Sequence, residues 1–575
     1  MKSLKENWIY FSLLLASSYI FLPSLQFPFS NLDDYIQVVE NPFLKKISFD
    51  AFRGIFSNTF VGMYQPMTTT VYLLIAQING IDPFWFHIAS LLTHLFNGFM
   101  AFNVLKHFCR KETAQIFSIL FIVHPLQVES VAWVSAYSNL LFSSFSLLSI
   151  EAYIKYCNTQ GKRYYWMSLL FFIFATLSKS SAISLVLILP LLDLYFQVKF
   201  HFKKTLSYMP FVLVGLFFGI ITILSRESAG HLSEMSQSFG FIDRIFIVAR
   251  NFLYYPGKFI WPNYLSIFYP FPESGILLPL QYYLSFPILI LIAYLIIKFR
   301  TYTKLWFGVL FYLGTILLVV QIIPLGNQLT TDRYLYLPMI GLIIIISFFV
   351  EKYLNSKQVR FLIVLPILFS LLSFQRIQLW ENDGLLWRNV LKNHPDVAQA
   401  YNNLGSYLLK NGNSKEAFAH FEKATMLNPK YADAHSNLGN WYSENNQSDK
   451  AILQFNKAID LRPHADAYFN RGNEYAKIKR FDLAIQDYSS SIALRPHEEC
   501  FTNKAYSLIQ LGNIATAQEE LSIALDLNPN YGRALFLMGI INRMNQNLSK
   551  ACNYFQRAMQ LGDKNAKQAF SNYCL

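Results

Sequence analysis

Phe455-Asn-Lys-Ala-Ile-Asp-Leu-Arg-Pro463 and Leu521-Ser-Ile-Ala-Leu-Asp-Leu-Asn-Pro529 are two copies of one phrase. Each reads as the closing turns of an amphipathic helix, stopped by a proline that lacks the N–H a helix needs. The prolines recur at Pro395, Pro429, Pro463, Pro496 and Pro529, at intervals of 34, 34, 33 and 33. Small residues keep the same period: Gly405, Gly439, Gly472, Ala505 and Gly539, then Ala417, Ala451, Ala484, Ala517 and Ala551. Four residues after the second set stand Phe421, Phe455, Tyr488, Leu521 and Phe555. This spacing predicts a two-helix unit whose small residues let the helices approach, whose ring packs on the next unit, and whose proline ends it. Five units fill 397–563, and 564–575 reads as a fragmentary cap.

A 34-residue helix–turn–helix unit with these positions resembles the tetratricopeptide repeat. Arrays of this kind present a concave surface to peptides or proteins. His394, His420, His435, His464, His497 and Cys552 are scattered here, without metal-ligand spacing. The five cysteines of the chain show neither a metal pattern nor a disulfide framework.

Moving toward the N-terminus, the composition changes near residue 378. The 575-residue chain is 53% hydrophobic and 14% charged, with 53 Phe and 35 Tyr, against about 25% charge in ordinary soluble domains. Residues 1–378 read as a membrane domain, 379–396 as a linker and 397–575 as the repeat array, so the expected fold is all-α. The net charge of +13 does not call for nucleic acid, because the basic residues lie in short loops between apolar runs.

Those runs cover about 8–25, 84–107, 112–124, 130–154, 164–178, 181–198, 205–225, 281–297, 305–324, 335–350 and 361–377. Lys2 and Lys5 precede the first, with no small-residue cleavage site after it, so it reads as a retained helix with a cytoplasmic N-terminus. Alternation then puts Arg110/Lys111, Lys155/Lys162/Arg163, Lys199/Lys203/Lys204, Lys298/Arg300/Lys304 and Lys352/Lys357/Arg360 inside. Asp33, Asp34, Glu129, Glu227, Glu234, Asp243, Glu273 and Asp332 fall outside, in accord with the positive-inside rule. Residues 242–261 carry Asp243, Arg244, Arg250 and Lys258 and read as interfacial or re-entrant. Eleven crossings follow, with the repeats extracytoplasmic.

Five polar clusters then share the outer face: Asp33-Asp34 in the long first loop (26–83); His124 through Glu129 to Trp133; Ser178-Lys179; Arg250 with Tyr254, Tyr255 and Lys258; and Asp332-Arg333-Tyr334. Taken singly, each reads as loop solvation or a local ion pair, Asp33-Asp34 as a solvated helix end. His87 and His94 lie on one helical face and read as core residues or an interhelical bond.

The ordered set is more specific. A carboxylate pair in the long loop after a first helix resembles the GT-C glycosyltransferases. The nearer resemblance is to the transmembrane-and-tetratricopeptide-repeat O-mannosyltransferases and their bacterial relatives. It is carried by Asp33-Asp34, Asn41-Pro42, Tyr64-Gln65-Pro66, Phe86-His87, His94, His124-Pro125 to Trp133, Leu177-Ser178-Lys179, Tyr255-Pro256, Asp332-Arg333-Tyr334-Leu-Tyr-Leu-Pro338, Trp380 and Trp387. The chain departs at Gln65, Ser180 and Tyr137-Ser138-Asn139.

The resemblance implies a membrane enzyme, of a bacterial inner membrane, that moves a sugar from a polyprenyl-phosphate carrier to a protein Ser or Thr. Hydroxyl attack at an anomeric carbon needs a base and a cation for the departing phosphate. Asp34 or Asp33 is the expected base, neighbouring carboxylates raising one another's pKa, with Glu129 beside them. Lys179, Arg250 and Arg333 are expected to hold the lipid phosphate. His124, His94, Asp332 and Tyr64 are expected to orient the acceptor or the acidic loop. No resident cofactor is implied, and paired carboxylates leave a divalent ion open. The repeats would hold the acceptor or a partner protein. A non-catalytic, membrane-anchored scaffold for envelope assembly or secretion is the alternative. A lipid-linked-sugar transporter fits the large outer loop poorly.

Overall fold

The computed structural model describes residues 10, 13–60, 62–199, 202–228, 239–272, 277–299, 301–322 and 328–574. Trp8, Lys2, Lys5, Glu234, Glu273, Arg300 and Pro324, which entered the topology reading, lie outside that set. The chain is all-α; its described β pairing is one isolated bridge, Phe60 to Met63. It divides into two compact units, Met1–His394 and Pro395–Leu575.

Among the described residues of the first unit, four helices are long and apolar enough to cross a membrane: Pro83–Leu105, Lys204–Glu227, Leu280–Lys298 and Ser356–Glu381. A fifth span results if Lys111–Val123 and Pro125–Ala132 count as one helix bent by 51°. The bend has a local cause. His124 precedes a proline and is therefore held extended, at ψ 134°. Its Nδ1 accepts the Leu126 N–H at 3.2 Å and restarts the chain. The expected run 130–154 is likewise broken at Trp133, and a new helix runs Tyr137–Thr159. Leu13–Gln26, Ser180–Tyr195 and Thr303–Val319 are shorter apolar helices. The Thr303–Ile316 and Met339–Tyr353 helices touch backbone to backbone. A Cβ on Gly341 would stand 2.6 Å from the Tyr312 nitrogen, the close approach small residues permit between membrane helices.

Residues 379–396 hold a short turn, Gln378–Glu381, and the helix Asp383–Asn393. Trp380 stacks on Trp133 at 6.0 Å, and the Asn31 N–H donates to Asp383 Oδ2 at 3.0 Å. The stretch is thus bound into the first unit as far as His394.

In the second unit the helices pair as Ala398–Lys410 with Ser414–Leu427, Ala432–Glu444 with Ser448–Leu461, Ala465–Lys477 with Phe481–Leu494, Glu498–Gln510 with Ile514–Leu527, and Gly532–Met544 with Leu548–Gln560. Lys564–Tyr573 follows. Asn428, Arg462, Arg495 and Asn528 are extended before their prolines, ending the second helices of the first four units. One expectation gains a second contact. In the four units that have them, the aromatic of the second helix also fills the space over the glycine of its own unit: a Cβ on Gly439 would lie 2.6 Å from the Phe455 ring, and one on Gly539 2.4 Å from Phe555. Contact with the next unit is additional, as where Tyr488 clusters with Cys500.

The cysteine reading is also corrected. Cys552 and Cys574 are disulfide-bonded, with Cα atoms 5.6 Å apart, while Cys109, Cys157 and Cys500 are free. A separation of 22 residues spans a helical hairpin, so the bond depends on the fold returning the chain to its start. A thiol reagent should therefore label three of the five cysteines in denaturant without reductant; labelling of all five would contradict the bond. Reduction should loosen Lys564–Tyr573 selectively, by about 3 kcal/mol for a loop of this length, read as hydrogen exchange in that helix.

Candidate functional site

Asp34 is buried and its carboxylate is fully engaged. Oδ2 accepts the Ser30 N–H at 2.9 Å and the Ser30 hydroxyl at 3.0 Å; Oδ1 accepts the Ser135 N–H at 2.8 Å and the Ser135 hydroxyl. Burial pushes its pKa up to about 6, against the pull of those four donors. The cause is burial, and not the neighbouring Asp33 that the sequence suggested. Asp34 thus clamps the first loop to the Trp133–Tyr137 turn.

Asp33 has different surroundings. It is half-buried, and Arg226 and Arg333 both feel its charge. Arg333 forms an ion pair with the buried Glu129 and lies over the faces of Trp133 at 4.9 Å and Tyr334 at 5.5 Å. Lys179 Nζ donates to Asn139 Oδ1 at 2.5 Å and sits 5.6 Å over the Tyr334 ring. Burial, and then the nearby charges of Arg333 and Arg226, push Lys179 down to about 7. Lys179, Arg226, Arg333, Glu129 and Asp33 form one electrostatic group.

A cavity of about 570 Å³ opens beside this group. Lys179, Arg226, Tyr334, Gln65 and Tyr64 form its polar end, and Leu187, Leu216, Ile220, Ile223 and Leu318 belong to its apolar wall. Tyr64 is held there by donating to the Phe56 carbonyl at 3.0 Å and stacking on Phe218 at 6.2 Å.

The remaining expected residues have other partners. Arg250 lies over Tyr254 at 4.4 Å and Tyr282 at 5.7 Å and donates to Asn251; the structure does not bring it to the Lys179 group. Asp332 is buried against Arg376 at 3.4 Å and accepts the Tyr269 hydroxyl at 2.8 Å, which ties the turn before Arg333 to the Val364–Ile377 helix. His124 bridges to the Phe259 carbonyl at 3.0 Å. His94 bonds the Tyr336 hydroxyl at 2.6 Å and the Ile122 carbonyl at 3.0 Å, the core role weighed for it.

Three stretches, 408–470, 465–498 and 502–566, match the tetratricopeptide-repeat family. Human protein O-mannosyl-transferase TMTC4 is 25% identical over 439 residues, covering 64% of this chain and 58% of its own. The Caenorhabditis elegans protein O-mannosyl-transferase F38B6.6 is 25% identical over 69% of this chain and 59% of its own. Human TMTC1 is 23% identical over 72% and 54%. The chain is similar to the TMTC proteins. It spans between half and three-fifths of the length of these curated relatives. Among solved structures, the repeats overlie YrrB, a TPR protein, at 19% identity over 32% of this chain and 97% of that one, with a TM-score of 0.29, too low to argue from.

The residue that the sequence did not single out is Arg226. It stands in the last turn of the Met209–Ser228 helix, where a lone arginine after an apolar run reads as a span end. Its place between two charged neighbours is set by tertiary structure alone. Ser30 and Ser135, which hold Asp34, were equally invisible. Replacing Asp34 by Ala leaves two hydroxyls and two N–H groups without their acceptor, and should lower stability by about 3 kcal/mol. Asp33→Asn should lower stability by less than Asp34→Ala does; equal destabilisation by both would refute the division of roles. The folded pKa of Asp34 lies above the ordinary carboxylate value, so its stabilising contribution is complete below pH 4 and is lost as pH rises through about 6. The melting-temperature difference between wild type and Asp34→Asn should therefore move in favour of the variant over that range.

Proposed function

We propose that this multi-pass membrane protein is a GT-C-type glycosyltransferase that moves a sugar, mannose by the names of its relatives, from a polyprenyl phosphate to a protein hydroxyl. One observation carries the reading: a long apolar cavity ends in Lys179 and Arg226, next to Arg333 and the half-buried carboxylate of Asp33. That arrangement suits an amphiphile with a phosphate head and a hydrocarbon tail. Lys179 and Arg226 hold the phosphate, while Arg333, fixed by Glu129 and Trp133, keeps the field positive.

Asp33 takes the proton of the acceptor hydroxyl. The hydroxyl oxygen bonds the anomeric carbon, the bond from that carbon to the phosphate oxygen breaks, and the electron pair leaves on the polyprenyl phosphate. The cations stabilise the charge that develops there. Asp34 positions Asp33 and does not touch the reacting atoms. The repeats hold the acceptor protein.

The topology that goes with this reading has eleven crossings, the shorter and bent helices included, a cytoplasmic N-terminus, and both site and repeats on the outer side of a bacterial inner membrane. Loop charge supports it. The Cys552–Cys574 disulfide also supports an oxidising compartment for the repeats.

The test is transfer of labelled mannose from polyprenyl-phosphate mannose by the protein in nanodiscs. Asp33→Asn should cut kcat by about 10²- to 10⁴-fold, the usual weight of a general base, and Arg226→Gln should raise the KM for donor. Lys179 is charged below about pH 7, so donor affinity should fall as pH rises past that point, and Lys179→Arg should abolish the fall. Wild-type turnover by Asp33→Asn would sink the assignment and favour a non-catalytic scaffold.

A further inference from the structure

The helix Asp383–Asn393 lies in a stretch that reads as a linker, and it forms for local reasons. Asn382 Oδ1 accepts the Leu385 N–H at 3.0 Å and caps its start. Leu386, Trp387 and Val390 then fall on one helical face and are buried. The helix also buries a carboxylate, that of Asp383, which is 8% exposed.

Contacts lead from this segment to the charged group from several sides. Asp383 Oδ2 accepts the Asn31 N–H at 3.0 Å, and Asn31 stands two residues before Asp33. Trp380 stacks at 6.0 Å on Trp133, the ring that Arg333 covers. Asn389 Oδ1 accepts from Arg376 at 3.2 Å, and Arg376 pairs with Asp332, the chain neighbour of Arg333. At the far end, the His394 ring meets Tyr269 edge-on at 5.9 Å, and the Tyr269 hydroxyl donates to Asp332. One short segment thus touches the arm that bears Asp33 and the two arms that flank Arg333.

In the first of these arms the chain turns between Ser30 and Asp34. Asp34 ties the two ends of that turn together and to Ser135. Asp383 holds its middle, at Asn31. The backbone that carries Asp33 is therefore fixed from two directions.

We propose that Asp383 is a positioning residue for sugar transfer: by holding Asn31 it sets Asp33 against Arg333, which Trp380 of the same segment supports through Trp133. A general base works only within hydrogen-bond reach of its proton, and a misplacement of about 1 Å can cost about 10²-fold in rate. The other role open to Asp383 is that of an acid in the first turn of a helix, where the dipole favours negative charge. That role needs no partner in the first loop, and it leaves unexplained a bond to a residue 352 positions away. The inference rests on Asp33 being the base. It makes the segment that leads to the repeats a part of the site.

The experiment is mannose transfer from polyprenyl-phosphate mannose by the full chain in nanodiscs, with hydrogen exchange followed on the same variants without donor. Asp383→Ala should cut kcat by about 10²-fold and leave the KM for donor within about twofold of wild type, since the phosphate is held elsewhere. Asp383→Asn keeps an oxygen for the Asn31 N–H and should restore most of the rate. Asp383→Ser keeps a residue suited to a helix start but withdraws that oxygen, and should lose as much as Asp383→Ala. Exchange over residues 28–36 should rise in the Ala and Ser variants and not in Asp383→Asn. Wild-type kcat in Asp383→Ala, equal loss in the Ala and Asn variants, or a loss confined to KM would each overturn the proposal. Transfer absent from the wild type counts against the transferase reading alone, and exchange then decides: no rise over 28–36 in Asp383→Ala overturns the positioning role.

Discussion

The first unit depends on one buried carboxylate. Asp34 sits in protein interior, where an ionised group is costly unless its lone pairs are occupied, and Ser30 and Ser135 supply four donors. That constraint joins the first loop to the turn at Trp133–Tyr137. The turn follows the short Val128–Ala132 helix bearing Glu129, which holds Arg333. One carboxylate thereby determines where two charged neighbours stand, and it leaves Asp33 half-buried beside cations. Adjacent residues divide the work: one anchors, the other stands beside the cations.

The cations are arranged with economy of a similar kind. Arg333 is already paired with Glu129, while Lys179 is held near neutrality by burial and by the arginines around it. An arriving phosphate would restore the charge on Lys179. The apolar walls beyond Lys179 and Arg226 would take a hydrocarbon chain, and burial there is worth about 0.8 kcal/mol per methylene. In the proposed reading, affinity and charge stabilisation are separated along one cavity.

The repeats were legible because their period is written in residue size. Gly439 must be small since Phe455 occupies the place of its side chain, and a proline follows the second helix in the first four units. In the membrane unit, the carboxylate pair, Glu129, Lys179 and Arg333 were legible as charges at the edges of apolar runs. Loop charge placed them on one face together with Arg250 and Asp332, and could not say which of them meet. Arg250 and Asp332 carry the same kind of signal, yet Arg250 packs on tyrosines and Asp332 pairs with Arg376; nothing in the local sequence separates an ion pair inside a fold from a binding cation. Arg226 and the Cys552–Cys574 bond stayed hidden because each depends on contacts distant in sequence.

The most direct measurement is photo-crosslinking of the intact protein in nanodiscs with a polyprenyl phosphate bearing a diazirine on its chain, mapped by mass spectrometry. A cavity that holds the donor predicts crosslinks to Leu187, Leu216 and Ile220, competed by unlabelled polyprenyl phosphate and lost in Arg226→Gln. Crosslinks confined to other helices, or unaffected by competitor, would contradict it.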